Sequence, residues 1–371
     1  MTHTQELLRT PFHAYHLDQG AKMVDFAGWD MPLHYGSIIE EHNQVRGSGG
    51  LFDVSHMGRL RFKGKDACRF LDHICTRQIH GMAEGQIRYS LICKADGGCL
   101  DDVLVYCEGD ANYSMVCNGA NREKIWNHIQ DNKDGYVCKI KDETDATAMI
   151  AVQGPKVIEL FSSFSSEVPT LKRYRFVTKN LLIAKIMISR TGYTGEDGVE
   201  IILPKSFAKK AVDMMFKTVE DKELIKPTGL GARDSLRLEA GMPLYGHELD
   251  EDTDPLSAGL KFAVKLEKGE GDNEAEPFIG QKALQKIAEQ GTSKKLVGLT
   301  LDGKRSPRQG MSLHSGEDTI GVVTSGCFSP TFGYPIAMGY VASDFDGSTV
   351  TVDFGRQQHD ATVVPLPFYK A

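Results

Sequence analysis

The stretch IRYSLICKADGGCLDDVLVY, residues 87–106, restricts the fold more than any other. Two apolar runs flank Asp96-Gly97-Gly98, and glycine supplies the positive φ that a tight reversal needs, so the segment reads as a β-hairpin. Apolar residues recur at helical spacing in KDACRFLDHICT (65–76) and NREKIWNHIQ (121–130), and Asn118 or Asn121 is placed to cap the second helix. With NYSMVCNG (112–119) as a further strand, the order helix, hairpin, strand, helix predicts a compact α+β unit over 55–140.

A chain of 371 residues divides into two or three domains rather than one. The next break is LEKGEGDNEAEPFIG (266–280), whose acidic, Gly-rich and Pro-containing composition suits an exposed connection. Beyond it, QKALQKIAEQ reads as one helix. KKLVGLTLDG, DTIGVVTSG, IAMGYVAS and STVTVDFG then read as short strands between Gly-rich turns, which predicts a small barrel or sandwich.

Several function classes lose their support here. A net charge of −7 argues against wholesale nucleic-acid binding, which needs a basic face to displace counterions. The eight cysteines form no C-x-x-C pair and have no His cluster beside them. The reading is therefore reduced, mostly buried thiols in a cytoplasmic protein, with no metal site. No run approaches the roughly 20 apolar residues of a membrane span, and MTHTQELLRTPFHAY lacks the apolar core of a signal peptide. Neither a phosphate-binding loop nor a G-x-G-x-x-G turn is present, His247-Glu248 lacks the second histidine of a zinc protease helix, and no G-x-S-x-G elbow occurs.

Four groups of polar residues remain. In DVSHMG (53–58), Asp53, Ser55 and His56 suit a turn bonded to its own backbone. Asp101 and Asp102 follow a turn, where acids are usually solvated. Strand alternation nevertheless sends the two to opposite faces, and an acid facing inward needs a donor or a cation. Glu200, between Val199 and Ile201, faces either water or a buried ligand, and alternation alone favours water. Arg233, Asp234, Arg237 and Glu239 suit a helix with local ion pairs. Taken singly, none of these establishes a function.

Their order along the chain is more specific. FAGWDMPLHYG, LFDVSHMG, GGCLDDVLVY, NGANREK, VQGP (152–155), RTGYTGEDGVEI, ARDSLRLEAGMPLYGHEL, FIGQKAL and GVVTSGCFSP…IAMGYV closely resemble the aminomethyltransferase family, the T-protein of the glycine cleavage system. The resemblance runs from about residue 10 to the C-terminus, and the acidic stretch near KGEGDNEAEP is the main departure. Folate-binding relatives in iron–sulfur cluster assembly carry K-G-C-Y-x-G-Q-E where this chain has RTGYTGEDG. A demethylase half would need a separate flavin-bearing partner.

The resemblance implies an α+β fold of three domains in a cloverleaf around a central folate channel. The first, discontinuous domain would be 1–54 plus 141–270, the ferredoxin-like second 55–140, and the C-terminal β-barrel 280–371. It further implies transfer of a one-carbon unit from the aminomethyl-lipoyl arm of the partner H-protein to tetrahydrofolate. Ammonia is released and 5,10-methylenetetrahydrofolate is formed, with the chain acting as a monomer. By position, Asp102 matches the catalytic acid, which leaves Asp101 as its solvent-side neighbour. Glu200 matches the acid that recognises the pterin, and Arg233 an arginine for substrate binding. Tyr89 and Met57 line the folate channel, Asn118 is a polar folate contact, and Tyr369, in PFYK, is the remaining match.

Overall fold

Two strands decide where the site lies, because each is buried on both faces. In the computed structural model, residues 6–162, 165–181, 184–218, 221, 223–271 and 274–371 are described. Strand Cys99–Cys107 pairs with Ile87–Cys93 as the expected hairpin. Gly97 takes φ +95°, and a Cβ on Gly98 would come within 1.9 Å of the Glu251 carbonyl oxygen, so both turn glycines are required.

The hairpin continues into a five-stranded antiparallel sheet in the order Ile87–Cys93, Cys99–Cys107, Asn112–Cys117, Gly58–Lys63, Lys139–Asp142. Helices Ala67–Ile74 and Arg122–Asn132 cover one face, where Phe70, Leu71, Ile125 and Ile129 pack with Val103, Val105 and Met115. Period-two alternation puts Asp101 on that helix-covered face. Leu104 and Tyr106, on the other face with Asp102, join a second core with Phe52, Met149 and Leu236.

A six-stranded sheet runs Phe176–Leu181, Ala184–Ser189, Gly198–Pro204, Thr147–Gln153, Gly50–Asp53, Lys226–Pro227. Its strands come from both sides of the five-stranded sheet in sequence. Val199, Ile201 and Leu203 face a core that includes Val152, Phe161 and Val212, while Ile202 faces the core of Tyr106 and Phe52. Glu200 therefore points the same way as Ile202, into the space between the sheets. Helix Leu230–Glu239 lies at that space, with Ala232 and Leu236 in the shared core. A closed barrel ends the chain, in the order Lys294–Leu301, Pro335–Ala342, Asp318–Phe328, Ser312–Ser315, Thr349–Asp353, Gln358–Val364.

Three expectations are corrected. Asp101 is not solvent-side: it is fully buried beneath the helices, because its strand has no face open to water. Asn121 occupies the N-cap position of helix Arg122–Asn132, but its side chain makes no capping bond and donates to Asp101 instead. The stretch 266–280 is only partly an exposed connection. Lys268 is fully buried, donating to the carbonyls of Asp72 at 2.5 Å and Cys75 at 2.9 Å and pairing with the Asp72 carboxylate at 3.1 Å. Phe278 and Ala275 are buried beside it. All eight cysteines are free and five are buried. Among the described residues, no helix is long and apolar enough to cross a membrane, and no group of His, Cys, Asp or Glu is arranged to hold a metal.

Candidate functional site

Where the two sheets, helix Leu230–Glu239 and the 241–247 loop meet, they enclose a cavity of about 590 Å³. Its wall contains Met57, Tyr89, Asp102, Asn118, Glu200 and Arg233, six side chains drawn from distant parts of the sequence. Tyr369 is not in that wall. Its ring lies 3.8 Å from the Arg46 guanidinium, and its backbone N–H bonds the Glu239 carbonyl at 2.7 Å, so it ties the C-terminus to the helices outside the cavity.

The acidic doublet sits across the wall. Asp102 Oδ1 accepts from Asn118 Nδ2 at 2.7 Å, and its Oδ2 accepts from the Tyr89 hydroxyl at 3.1 Å. Asp101, behind it, accepts from the Asn118 backbone N–H and Nδ2, both at 2.9 Å, and from Asn121 Nδ2 at 2.6 Å. Burial, and after it the charge of Asp102, push the Asp101 carboxyl up to about 8 against those three donors. Burial also raises Asp102, opposed by Asn118 and Tyr89. The two acids titrate as a pair, and the pair holds a proton more tightly than exposed carboxylates do. Burial keeps Tyr89 a protonated donor, with the Asp102 charge adding to the effect. The Tyr89 ring stacks on Phe262 with centroids 5.9 Å apart.

Glu200, across the cavity, is buried and accepts a 2.6 Å bond from the Thr191 hydroxyl. The guanidinium of Arg233 lies 4.9 Å from the Tyr193 ring centre and 5.9 Å from that of Phe52. Its Nη1 is buried and meets no acceptor among the described residues. A buried donor without a partner costs about 1–3 kcal/mol, which a ligand acceptor would recover. Arg237 differs: it is paired with Asp234 on its own helix at 2.8 Å and with Glu248, outside the helix, at 2.8 Å. Glu239 pairs with Arg46, so among the described residues only one of the expected local ion pairs forms.

The DVSHMG turn divides in two. Asp53 accepts from the Ser55 backbone N–H at 2.9 Å and contacts Thr10 and His16, so the self-bonded turn holds there. His56 faces the cavity wall with Nδ1 unpartnered among the described residues, and burial holds it down at about 4, so the ring is neutral. Sequence reasoning gave it no site role, nor did it assign one to Tyr193, Thr191, Tyr245 or Phe262, which also line the cavity. The first two stand in RTGYTGEDG, so that motif carried a signal; Phe262 has none.

Comparison with known proteins follows the same outline. A family model described as the GCVT N-terminal domain matches residues 12–268, and one described as the glycine cleavage T-protein C-terminal barrel domain matches 294–370. An aminomethyltransferase of Rubrobacter xylanophilus is 44% identical over 98% of this chain and 95% of its own length. One of Halothermothrix orenii is 44% identical over 97% and 99%. The crystal structure of glycine cleavage system aminomethyltransferase T from Bartonella henselae superposes with a TM-score of 0.89 at 32% identity, covering 98% of each chain. The chain therefore belongs to the glycine cleavage T-protein family and is an aminomethyltransferase that acts with tetrahydrofolate in glycine cleavage.

Proposed function

We propose that the cavity holds tetrahydrofolate, and that Asp102 is the catalytic acid for taking a one-carbon unit from the aminomethyl-lipoyl arm of H-protein. The products are ammonia, 5,10-methylenetetrahydrofolate and a dihydrolipoyl arm. One observation carries the reading: a carboxylate in the wall of a largely apolar cavity, held by one N–H and one O–H donor.

The residues present fit the folate. Glu200 offers acceptor oxygens of the kind that pair with adjacent ring N–H and amino donors. Arg233 Nη1 is a donor waiting for an acceptor. Met57 and Tyr89 supply thioether and aromatic surface for a flat ring, and Asn118 adds a polar contact. The bound folate supplies the nitrogens that take up the one-carbon unit.

Asp102 stabilises the positive charge that develops as the carbon–nitrogen bond of the aminomethyl group breaks. Among apolar cavity walls that limit its contact with water, such a charge is worth more than it is in solution. Tyr89 and Asn118 fix both carboxylate oxygens, so little reorganisation is needed.

The same reading makes the chain a monomer working in the cytoplasm, and eight free thiols support a reducing compartment. Tyr369 lies outside this cavity and is left out of the proposed folate contacts. Domain limits of 1–54 plus 141–270, 55–140 and 280–371 are proposed. The sheets support a division into three, but strand Lys139–Asp142 belongs to the five-stranded sheet and carries the second unit to Asp142, and the barrel match covers 294–370. The test is ammonia release from aminomethyl-loaded H-protein with and without tetrahydrofolate. Release independent of tetrahydrofolate, together with no heat of folate binding by calorimetry, would sink the reading.

A further inference from the structure

Asp101 is absent from the cavity wall, yet it is fully buried and uses both oxygens on N–H donors of two asparagines. Asn118 is gripped at both ends of its residue, since its backbone N–H and its Nδ2 each bond Asp101 at 2.9 Å. The same Nδ2 lies 2.7 Å from Asp102 Oδ1 and 3.3 Å from the Asp102 carbonyl oxygen. Two acids thus present acceptor oxygens to one carboxamide nitrogen. A flipped carboxamide would set its oxygen against both acids, so one orientation is enforced. The Asn118 oxygen accepts nothing from the described residues, and Asn118 lines the cavity.

We propose that Asp101 is a positioning residue for the transfer reaction: it locks Asn118 so that the carboxamide nitrogen supports Asp102 and the carboxamide oxygen is offered to an N–H of the bound folate. The inference rests on the assignment of Asp102 as the catalytic acid. A purely structural role is the competing account, because Asn121 stands at the N-cap of helix Arg122–Asn132 and Asp101 anchors it. The two accounts differ in one respect. A positioning residue acts through Asn118, whereas a helix anchor acts whether Asn118 is intact or not.

The experiment is a double-mutant cycle in the ammonia-release assay with D101N, N118A and the double variant, run beside D102N, together with a crystal structure of D101N. In D101N an amide NH2 or a single remaining oxygen must face donors that the acid satisfied on both sides. We expect kcat to fall by about tenfold or more in D101N and by a similar factor in N118A. The double variant should lie within about threefold of the worse single, because the two changes remove the same interaction. The D101N crystal should show Asn118 Nδ2 beyond hydrogen-bond distance of Asp102. Effects that multiply, an unmoved Asn118, or D101N with kcat within about twofold of the parent each overturn the proposal. Should D101N fail to fold, N121A takes its place in the cycle. Its smaller fall in kcat must vanish in the N118A background, and a fall that persists overturns the proposal. Full activity in D102N removes the assignment of Asp102 itself. An inactive D102N beside a fully active D101N removes only the present inference.

Discussion

The Tyr89 hydroxyl donates to Asp102 Oδ2 at 3.1 Å, so the acid's charged form is stabilised by a donor on the neighbouring strand of its own hairpin. Replacing Tyr89 by Phe removes that donor and leaves burial to dominate, which raises the Asp102 pKa further. The acid limb of the kcat–pH profile should move to higher pH, because a donor that favours the charged form is gone. Steady-state rates between pH 5.5 and 8.5 check this, and an unmoved limb counts against a role for the Asp102 charge.

Asp102→Asn keeps the shape of the cavity and removes the charge. We expect kcat to drop about 100-fold or more, the scale of losing a preorganised electrostatic group, while tetrahydrofolate affinity changes little. Kinetics paired with calorimetry separate the two effects. A near-normal kcat would show that the charge is not used.

Glu200→Gln turns one good acceptor into a donor beside the Thr191 hydroxyl, which now donates to Glu200 at 2.6 Å. Losing a charge-assisted bond costs about 1.5–3 kcal/mol, or roughly ten- to hundredfold in tetrahydrofolate affinity. Isothermal titration reads the change directly, and an unaltered Kd would place the pterin elsewhere.

His56 is held down at about 4 by burial, while an unfolded histidine titrates near 6.5. The unfolded chain therefore takes up a proton below about 6.5 and the folded chain resists it down to about 4, so stability falls as pH drops through that window. Between pH 7.5 and 5 the parent should lose about 2 kcal/mol more than His56→Phe. Urea titrations of both at the two pH values measure the difference; parallel losses would mean that His56 is protonated in the fold.

Lys268 and Asp72 form an ion pair at 3.1 Å with both side chains almost wholly buried. Lys268→Met removes the cation beside the Asp72 carboxylate, which among the described residues keeps only the Ile79 and His80 backbone N–H donors, and takes the Lys268 donor from three carbonyls. The expected loss is about 3–5 kcal/mol in urea unfolding. A change below about 1 kcal/mol would fit an exposed connection after all.

The sequence alone determined the local elements and the family. The Asp96-Gly97-Gly98 turn, the helices around Phe70 and Ile125, and four of the six barrel strands follow from short-range periodicity and appear where their patterns place them, whereas strands Ser312–Ser315 and Gln358–Val364 are not among those read from the sequence. Six of the seven site residues assigned by motif line one cavity. What lies on the far side of a strand is not written in its own residues, and only the tertiary structure decided it. Alternation separates Asp101 from Asp102 and Glu200 from its neighbours, but water or protein on each face depends on helices and sheets supplied from elsewhere in the chain. Asp101 is buried because Arg122–Asn132 packs over it, and Lys268 because the helix Ala67–Ile74 ends beside it. Tyr369 stays outside the cavity because Arg46 and Glu239 hold it there. Pairings of this kind form only when the chain closes, since their energy depends on which distant groups exclude water from them.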